Sequence, residues 1–312
     1  MIESASKSIP TTRRRRSALL RQEAVDGYLC ILPWVLGFIL FTAGPMLASA
    51  FLAFTEYDIS FAPKFIGLDN FVKLFTGDPL FWASLYNTAF YTFLFVPLHL
   101  VIALGAALVL NTKVRGIGVF RTVFYIPSIT PTVASAFLWM WVFNPDYGLA
   151  NALLGFVGLP PSKWLFDETM AKPSFIIMSL WALGNAMIIF LADLQNVPET
   201  LYEAAAIDGA SGVRRFFYIT IPMITPVIFF NLVVGIIGSF QIFTAAYVAT
   251  QGGPNNATLF YVLYLYNQGF QFLHMGYASA LAWVLFLIIL IFTFVQLRLA
   301  KRWVYYESEG RG

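Results

Sequence analysis

Long apolar runs, each nearly free of charge in its interior, alternate along this chain with segments in which Asp, Lys, Gly, Pro or Asn returns. A hydrocarbon core about 30 Å thick is crossed by about 20 apolar helical residues, at about 1.5 Å of rise each. Six stretches meet that requirement, at approximately 27–54, 84–110, 122–143, 173–195, 223–249 and 276–297. A seventh, Leu259 to Leu273, is apolar and aromatic but spans 15 residues and is interrupted by Asn267, Gln268 and Gly269. It reads as interfacial or re-entrant. The pattern predicts an all-α membrane protein of six transmembrane helices. It divides the chain into a tail (1–26), a first span (27–54), a five-helix core (84–297) and a second tail (298–312).

Composition removes the soluble alternatives. Of 312 residues, 59% are hydrophobic and 11% charged, with mean hydropathy +0.74. Soluble globular chains carry about 25% charged residues, so lipid must cover what charge does not. A single cysteine, Cys30, excludes a disulfide scaffold. A nucleic-acid binder needs a dense basic face, which a net charge of +3 does not supply.

The scarce cations set the orientation, because Lys and Arg near span ends stay on the cytoplasmic side. With the N-terminus inside, inner segments hold Lys7, Arg13 to Arg16 and Arg21; Lys113, Arg115 and Arg121; Arg214 and Arg215; and Arg298, Lys301, Arg302 and Arg311. Lys64, Lys73, Lys163 and Lys172 remain outside. Both termini are therefore expected in the cytoplasm. The Arg13 to Arg16 cluster resembles the charged start of a signal peptide, but the apolar stretch behind it is too long and ends without a small-residue cleavage site. It reads as an uncleaved first span.

The longest polar insert on the inner side is 196–222, NVPETLYEAAAIDGASGVRRFFYITIP. Pro198 suits the first turn of a helix, where its missing N–H costs nothing. Glu199 and Glu203 favour the positive end of the helix dipole. Gly209 reads as the residue that stops this helix, and Ser211 as the cap of a second short one ended by Pro222. The face Ala204, Ala205, Ala206 carries nothing bulky and admits close approach of another surface. An ordinary re-entry turn made of good helix formers is the plainer reading of the same residues.

Glu203-Ala204-Ala205, then Gly209, Ile219 and Ile221-Pro222 at fixed offsets, resembles the EAA loop of binding-protein-dependent ABC importer permeases. Ile221 replaces the usual leucine, and Asp208 before Gly209 matches a common form of the motif. Phe65-Ile66-Gly67-Leu68-Asp69-Asn70-Phe71, the Gly252-Gly253-Pro254 turn with Thr258, and Gly276-Tyr277-Ala278-Ser279-Ala280 are similar to the carbohydrate-uptake branch. The resemblance implies the type I ABC importer permease (MetI-like) fold and a coupling helix seated in a separate ATPase. It also implies a second permease chain forming a heterodimer, two ATPase subunits and an extracytoplasmic sugar-binding protein, all at a bacterial or archaeal cytoplasmic membrane.

No phosphate loop and no Gly-Lys pair occur, so ATP and Mg are expected on the partner ATPase, with no cofactor or metal in this chain. Glu203 and Asp208 are assigned to contacts with that ATPase, Ala204 and Ala205 to close approach, Gly209 to the reversal and Pro222 to re-entry into the bilayer, with Ile219 a further member of the coupling loop. Neutral polar residues within spans are costly in lipid and usually face a cavity. They nominate Asn185 and Asn231 for the substrate pathway, with Gln241, Tyr247, Asn87 and His99 behind them; interhelical hydrogen bonding explains each singly. The turn Gly252, Gly253, Pro254 is a candidate contact for the binding protein. An intramembrane serine protease built on Ser211 fails because Asp208, Arg214 and Arg215 place that serine in water. An ion-coupled secondary sugar carrier is the competing class; it lacks a visible ion or proton site and has no use for an EAA loop.

Overall fold

The computed structural model describes residues 18–112 and 114–305, which form parts of two compact units, Met1–Phe51 and Leu52–Gly312. Lys7, Arg13 to Arg16, Lys113 and Arg311, which entered the orientation argument, lie outside the described residues.

The first unit contains α1 (Ala18–Phe38), a π-helical turn (Ile39–Ala43) and most of α2 (Gly44–Leu52). Together they give an apolar run of 33 residues, Leu20–Leu52. The helix already runs at Ala18, the first described residue, ahead of the span start predicted at 27, and Leu20, Arg21, Gln22 and Glu23 within it are good helix formers. The π turn has a local cause. Pro45 has no N–H to donate, and directly before it the Gly44 N–H reaches back to the Ile39 carbonyl, widening the turn to admit the ring.

The second unit opens with a two-residue hairpin, β1 (Thr55–Glu56) and β2 (Lys64–Phe65), pairing Thr55 with Phe65 and Glu56 with Lys64. Buried Asn70, at the start of α3 (Asp69–Val72), holds this hairpin by donating from Nδ2 to the Ala53 and Thr55 carbonyls, each at 2.9 Å. Asp78 then caps α4 (Pro79–Leu110), its Oδ1 accepting from the Leu80 and Phe81 N–H groups. Pro79 follows at the first helical position, where a proline is preorganised. At 32 residues α4 is about 48 Å long, more than a bilayer core requires.

The predicted third and fourth spans are both broken. Helices α5 (Ile117–Ile129) and α6 (Thr132–Val142) meet at 100°, and α8 (Ala171–Leu180) and α9 (Gly184–Asn196) at 46°, with α7 (Leu149–Phe156) between the pairs. The first break follows from Pro131, which forces Thr130 into extended backbone, ψ 130°. Beyond the loop 196–222, α13 (Thr225–Phe240) and α14 (Thr244–Ala249) make the fifth span, and α16 (Met275–Ala300) the sixth. Between them α15 (Tyr261–Tyr266) is six residues long, so the seventh apolar stretch does not cross. The described residues thus hold four helices long enough to span, or six spans when each bent pair counts once, in agreement with the predicted number.

Two hydrophobic clusters flank the midpoint of α4. One gathers Phe81, Tyr91, Phe175, Phe260 and Leu281; the other gathers Ala103, Ala107, Met187, Phe190 and Ile224. Between them the two bent pairs lock together. The Gly184 N–H, freed by the break before α9, donates to Ser128 Oγ at 2.8 Å. A Cβ at Gly184 would lie 2.7 Å from that oxygen and 2.8 Å from the Tyr125 Cα. Gly184→Ala is therefore expected to lower stability by about 1–3 kcal/mol through overpacking. Ser128→Ala, which removes one bond and no volume conflict, should cost about 0.6 kcal/mol. Thermal unfolding in detergent measures both; equal melting of Gly184→Ala and wild type would refute the close packing.

Candidate functional site

The loop 196–222 folds much as its sequence suggests. After Val197, which is buried, and Pro198 in extended backbone, α10 (Glu199–Ile207) runs to an Asp208–Gly209 stop. Gly209 sits at φ +75°, where a side chain is strained, and the ending is a Schellman motif. Ala210 N–H bonds the Ala205 carbonyl at 2.9 Å and Gly209 N–H the Ala206 carbonyl at 3.1 Å. Ser211 caps α11 (Gly212–Arg215), its Oγ accepting from the Arg214 N–H at 3.4 Å.

One detail differs from expectation. The chain does not end its second helix at Pro222; it passes from α11 through a π turn (Phe216–Thr220) into α12 (Ile221–Met223), with Pro222 in the opening turn of α12. Proline is tolerated there because the first N–H groups of a helix have no partner to lose.

What the loop exposes and what it anchors are distinct sets. Glu203, Ala204, Asp208 and Gly209 are exposed, and Ala205 partly so. Ile207 at 88% exposure and Tyr218 at 76% are apolar or amphipathic side chains standing in the open. On the opposite side Ile219 and Ile221 pack against the cluster around Met187 and Ile224. Tyr202 lies in the same layer, and its hydroxyl meets Thr220 Oγ1 at 2.9 Å, stapling α10 to the re-entering chain. No sequence signal pairs Tyr202 with Thr220; both stand among residues that read as ordinary helix formers.

The second feature is a cavity of about 450 Å³ beside the middle of α4. Its wall includes Tyr91, Ser128, Thr130, Ser135, Ser179 and Gln241, with the rings of Phe95 and Phe243. All three interruptions of the helices open onto it: Thr130 at the α5–α6 break, Ala182 at the α8–α9 break, and Gln241 to Phe243 where α13 stops before α14. Within a bilayer, non-helical backbone is tolerated where it lines a cavity rather than lipid. The hydroxyls are positioned by their own helices. Ser179 donates to the Phe175 carbonyl at 2.8 Å and accepts from the Tyr91 hydroxyl at 2.8 Å; Thr130 donates to the Ile126 carbonyl at 3.1 Å. No Asp, Glu, Lys or Arg stands among the described lining residues.

Of the residues nominated for the substrate pathway, Gln241 lines this cavity. Asn185 is exposed just past Gly184, and Asn231 is buried, its Nδ2 donating to the Val227 carbonyl one turn back at 3.0 Å. Tyr247 stands one step away, stacked on Phe243 with ring centroids 5.4 Å apart and followed by Tyr266 at 5.3 Å and Phe270. Asn87 is a tie, donating to the Asn256 and Leu259 carbonyls and accepting from Lys172 Nζ at 2.9 Å. His99 lies against Phe95, its Nδ1 buried. The serine and threonine hydroxyls of the wall went unnominated because such residues also pack as small spacers in spans. The helix-breaking Pro131 was the available signal.

The turn at Gly252, Gly253 and Pro254 lies beyond the cavity. Gly252 is buried at φ +93°, and Thr258 donates to the Gly253 carbonyl while meeting Thr250 Oγ1 at 2.7 Å. Nearby, the second carboxylate oxygen of Asp78 accepts from both the Tyr264 and Tyr277 hydroxyls, joining the start of α4 to α15 and α16. Gly276 explains its own place in the sequence: a Cβ there would stand 2.1 Å from the Thr55 carbonyl oxygen.

Residues 99–305 match the family described as binding-protein-dependent transport system inner membrane component. The chain is 46% identical over 299 residues to the "Probable ABC transporter permease protein YesP" of Bacillus subtilis, covering 95% of this chain and 96% of that one. It is 35% identical to the trehalose/maltose transport system permease protein MalF of Thermococcus litoralis, covering 91% and 97%. Its fold is similar to a chain of the crystal structure of a bacterial alginate ABC transporter in complex with alginate pentasaccharide-bound periplasmic protein, with TM-score 0.81, 24% identity, and coverage of 92% and 98%. These likenesses leave no support for an ion-coupled carrier. The loop whose α10 ends in a Schellman turn and the broken helices around one cavity are thus parts of an ABC transporter permease, and the chain belongs to the binding-protein-dependent transport system inner membrane component family.

Proposed function

We propose that this permease carries a neutral sugar or related polyol or oligosaccharide into the cell, driven by ATP hydrolysis on separate ATPase subunits. The observation that carries the reading is the uncharged, hydroxyl-lined cavity at the level where the helices break. Hydroxyls and the Gln241 amide both donate and accept, as a sugar requires, and Phe95 and Phe243 offer faces to its C–H surface. Buried charge would favour an ion instead. The relatives' names point the same way, with trehalose/maltose, lactose and arabinooligosaccharide systems among them.

In this reading α10 is the coupling helix. Its exposed Glu203 and Asp208 meet the ATPase, Ala204 and Ala205 admit close approach, Gly209 makes the reversal, and Ile219 and Pro222 return the motion to the bilayer. ATP and Mg reside in the ATPase. Two ATPase subunits, a second permease chain and an extracytoplasmic binding protein complete the complex, with Gly252, Gly253 and Pro254 near the binding-protein side. Residues 196–222 and both termini then face the cytoplasm. Residues 1–26 and 298–312 flank the first span and the five-helix core of 84–297.

Three outcomes check this. Glu203→Lys and Gly209→Pro are expected to reduce binding-protein-dependent sugar uptake by at least about tenfold, the equivalent of 1.4 kcal/mol of coupling, while membrane levels stay unchanged. Unaltered uptake together with unaltered ATPase association would refute the coupling assignment. Tyr202→Phe should cost about 0.5–1.5 kcal/mol of local stability and raise hydrogen exchange in 199–220, leaving the α4 amides untouched. Gln241→Ala should raise the KM for uptake with little change in basal ATPase activity; an unchanged KM for every sugar delivered would remove Gln241 from the pathway.

A further inference from the structure

The end of α16 carries a feature outside the loop and the cavity described above. A recess of about 440 Å³ is lined, among the described residues, by Phe294, Leu297, Arg298, Lys301 and Arg302. At about 100° per residue, Arg298 and Arg302 lie on one face of the helix with Lys301 at its edge, and Phe294 lies one turn before Arg298. Ala300, the last residue of the helix, is buried on the bundle side; beyond it Trp303 packs on Phe229 with centroids 6.1 Å apart, and Tyr305 N–H donates to Thr225 Oγ1 at 2.9 Å. Arg298, Lys301 and Arg302 are all exposed.

Depth follows from length. The 26 residues of α16 extend about 39 Å, against a hydrocarbon core of about 30 Å. About six residues overrun it. Phe294 and Leu297 then sit at acyl-chain level, Arg298, Lys301 and Arg302 at headgroup level, and Trp303 where interfacial aromatics concentrate.

From this we infer that the Arg298–Lys301–Arg302 face is a binding site for the headgroup of an anionic phospholipid. Phosphate oxygens meet the two guanidinium groups and the ammonium while an acyl chain lies along Leu297 and Phe294. Charge complementarity selects the headgroup, and the apolar floor one turn deeper selects a lipid over a soluble phosphate. The neutral cargo cavity lies elsewhere, so the inference stands independently of the sugar reading.

The test uses the full chain in phosphatidylcholine vesicles containing one fifth phosphatidylglycerol, with bromine on the acyl chains of one lipid or the other. Fluorescence quenching of Trp303 is isolated by subtracting Trp303→Phe. Each cation near an anionic surface contributes about 1 kcal/mol, about fivefold. Quenching should therefore report at least about fivefold enrichment of phosphatidylglycerol at low salt. The enrichment should fall in Arg298→Gln/Lys301→Gln/Arg302→Gln and persist in Arg298→Lys/Arg302→Lys. If the triple variant does not insert, Lys301→Gln alone should lower it. Equal quenching by the two lipids in the wild type, or an enrichment untouched by removing the cations, overturns the inference. Loss of the enrichment on adding inorganic phosphate at about the same ionic strength assigns the face to a free anion and overturns it equally.

Discussion

In a solvent that offers no hydrogen bonds, a broken helix must find partners for the backbone groups it frees, and in this protein one break finds a partner beside another. The Gly184 N–H released at the α8–α9 break is taken by Ser128 Oγ beside the α5–α6 break, at a separation that leaves no room for a Cβ. That contact gives the 46° break a side-chain partner and holds it against the 100° break. It also places the hydroxyls of Ser128, Thr130 and Ser179 around common space instead of against lipid. The cavity is the geometric result of satisfying backbone, and its neutral polar wall follows from using hydroxyls for the purpose.

The polar contacts elsewhere obey the same economy. Asn70 secures the hairpin, Asn87 holds 256–259 against α4, and Tyr202 with Thr220 staples α10 to the re-entering chain. Each joins separate segments through one or two bonds. The two sides of 196–222 are likewise distinct: the anchored side belongs to the inner cluster, whereas the exposed side carries Glu203, Ile207 and Asp208.

How much of this was legible depended on whether the cause was local. Span number, the stop at Gly209 and the cap at Ser211 come from hydropathy, a left-handed backbone and a short hydroxyl, all readable within a few residues. Asn87 and Asn231 were nominated for cargo because an amide in lipid demands a partner; it finds one in the protein's own backbone, across the fold for Asn87 and one turn back for Asn231. Gln241 differs because the helix ends beneath it. Tyr202 pairs with Thr220 through a tertiary return that no single-sequence rule specifies.

The Asp78 carboxylate has a consequence for how the chain is made. One of its oxygens caps α4 as soon as Phe81 exists, but the hydroxyls that its other oxygen accepts come from Tyr264 and Tyr277, the latter 199 residues later. At about 5–20 residues per second, ribosomal synthesis delivers Tyr277 about 10–40 s after Asp78. Until then the tie from the start of α4 to α15 and α16 cannot form. The start of α4, made early, is thus completed only by the last helix.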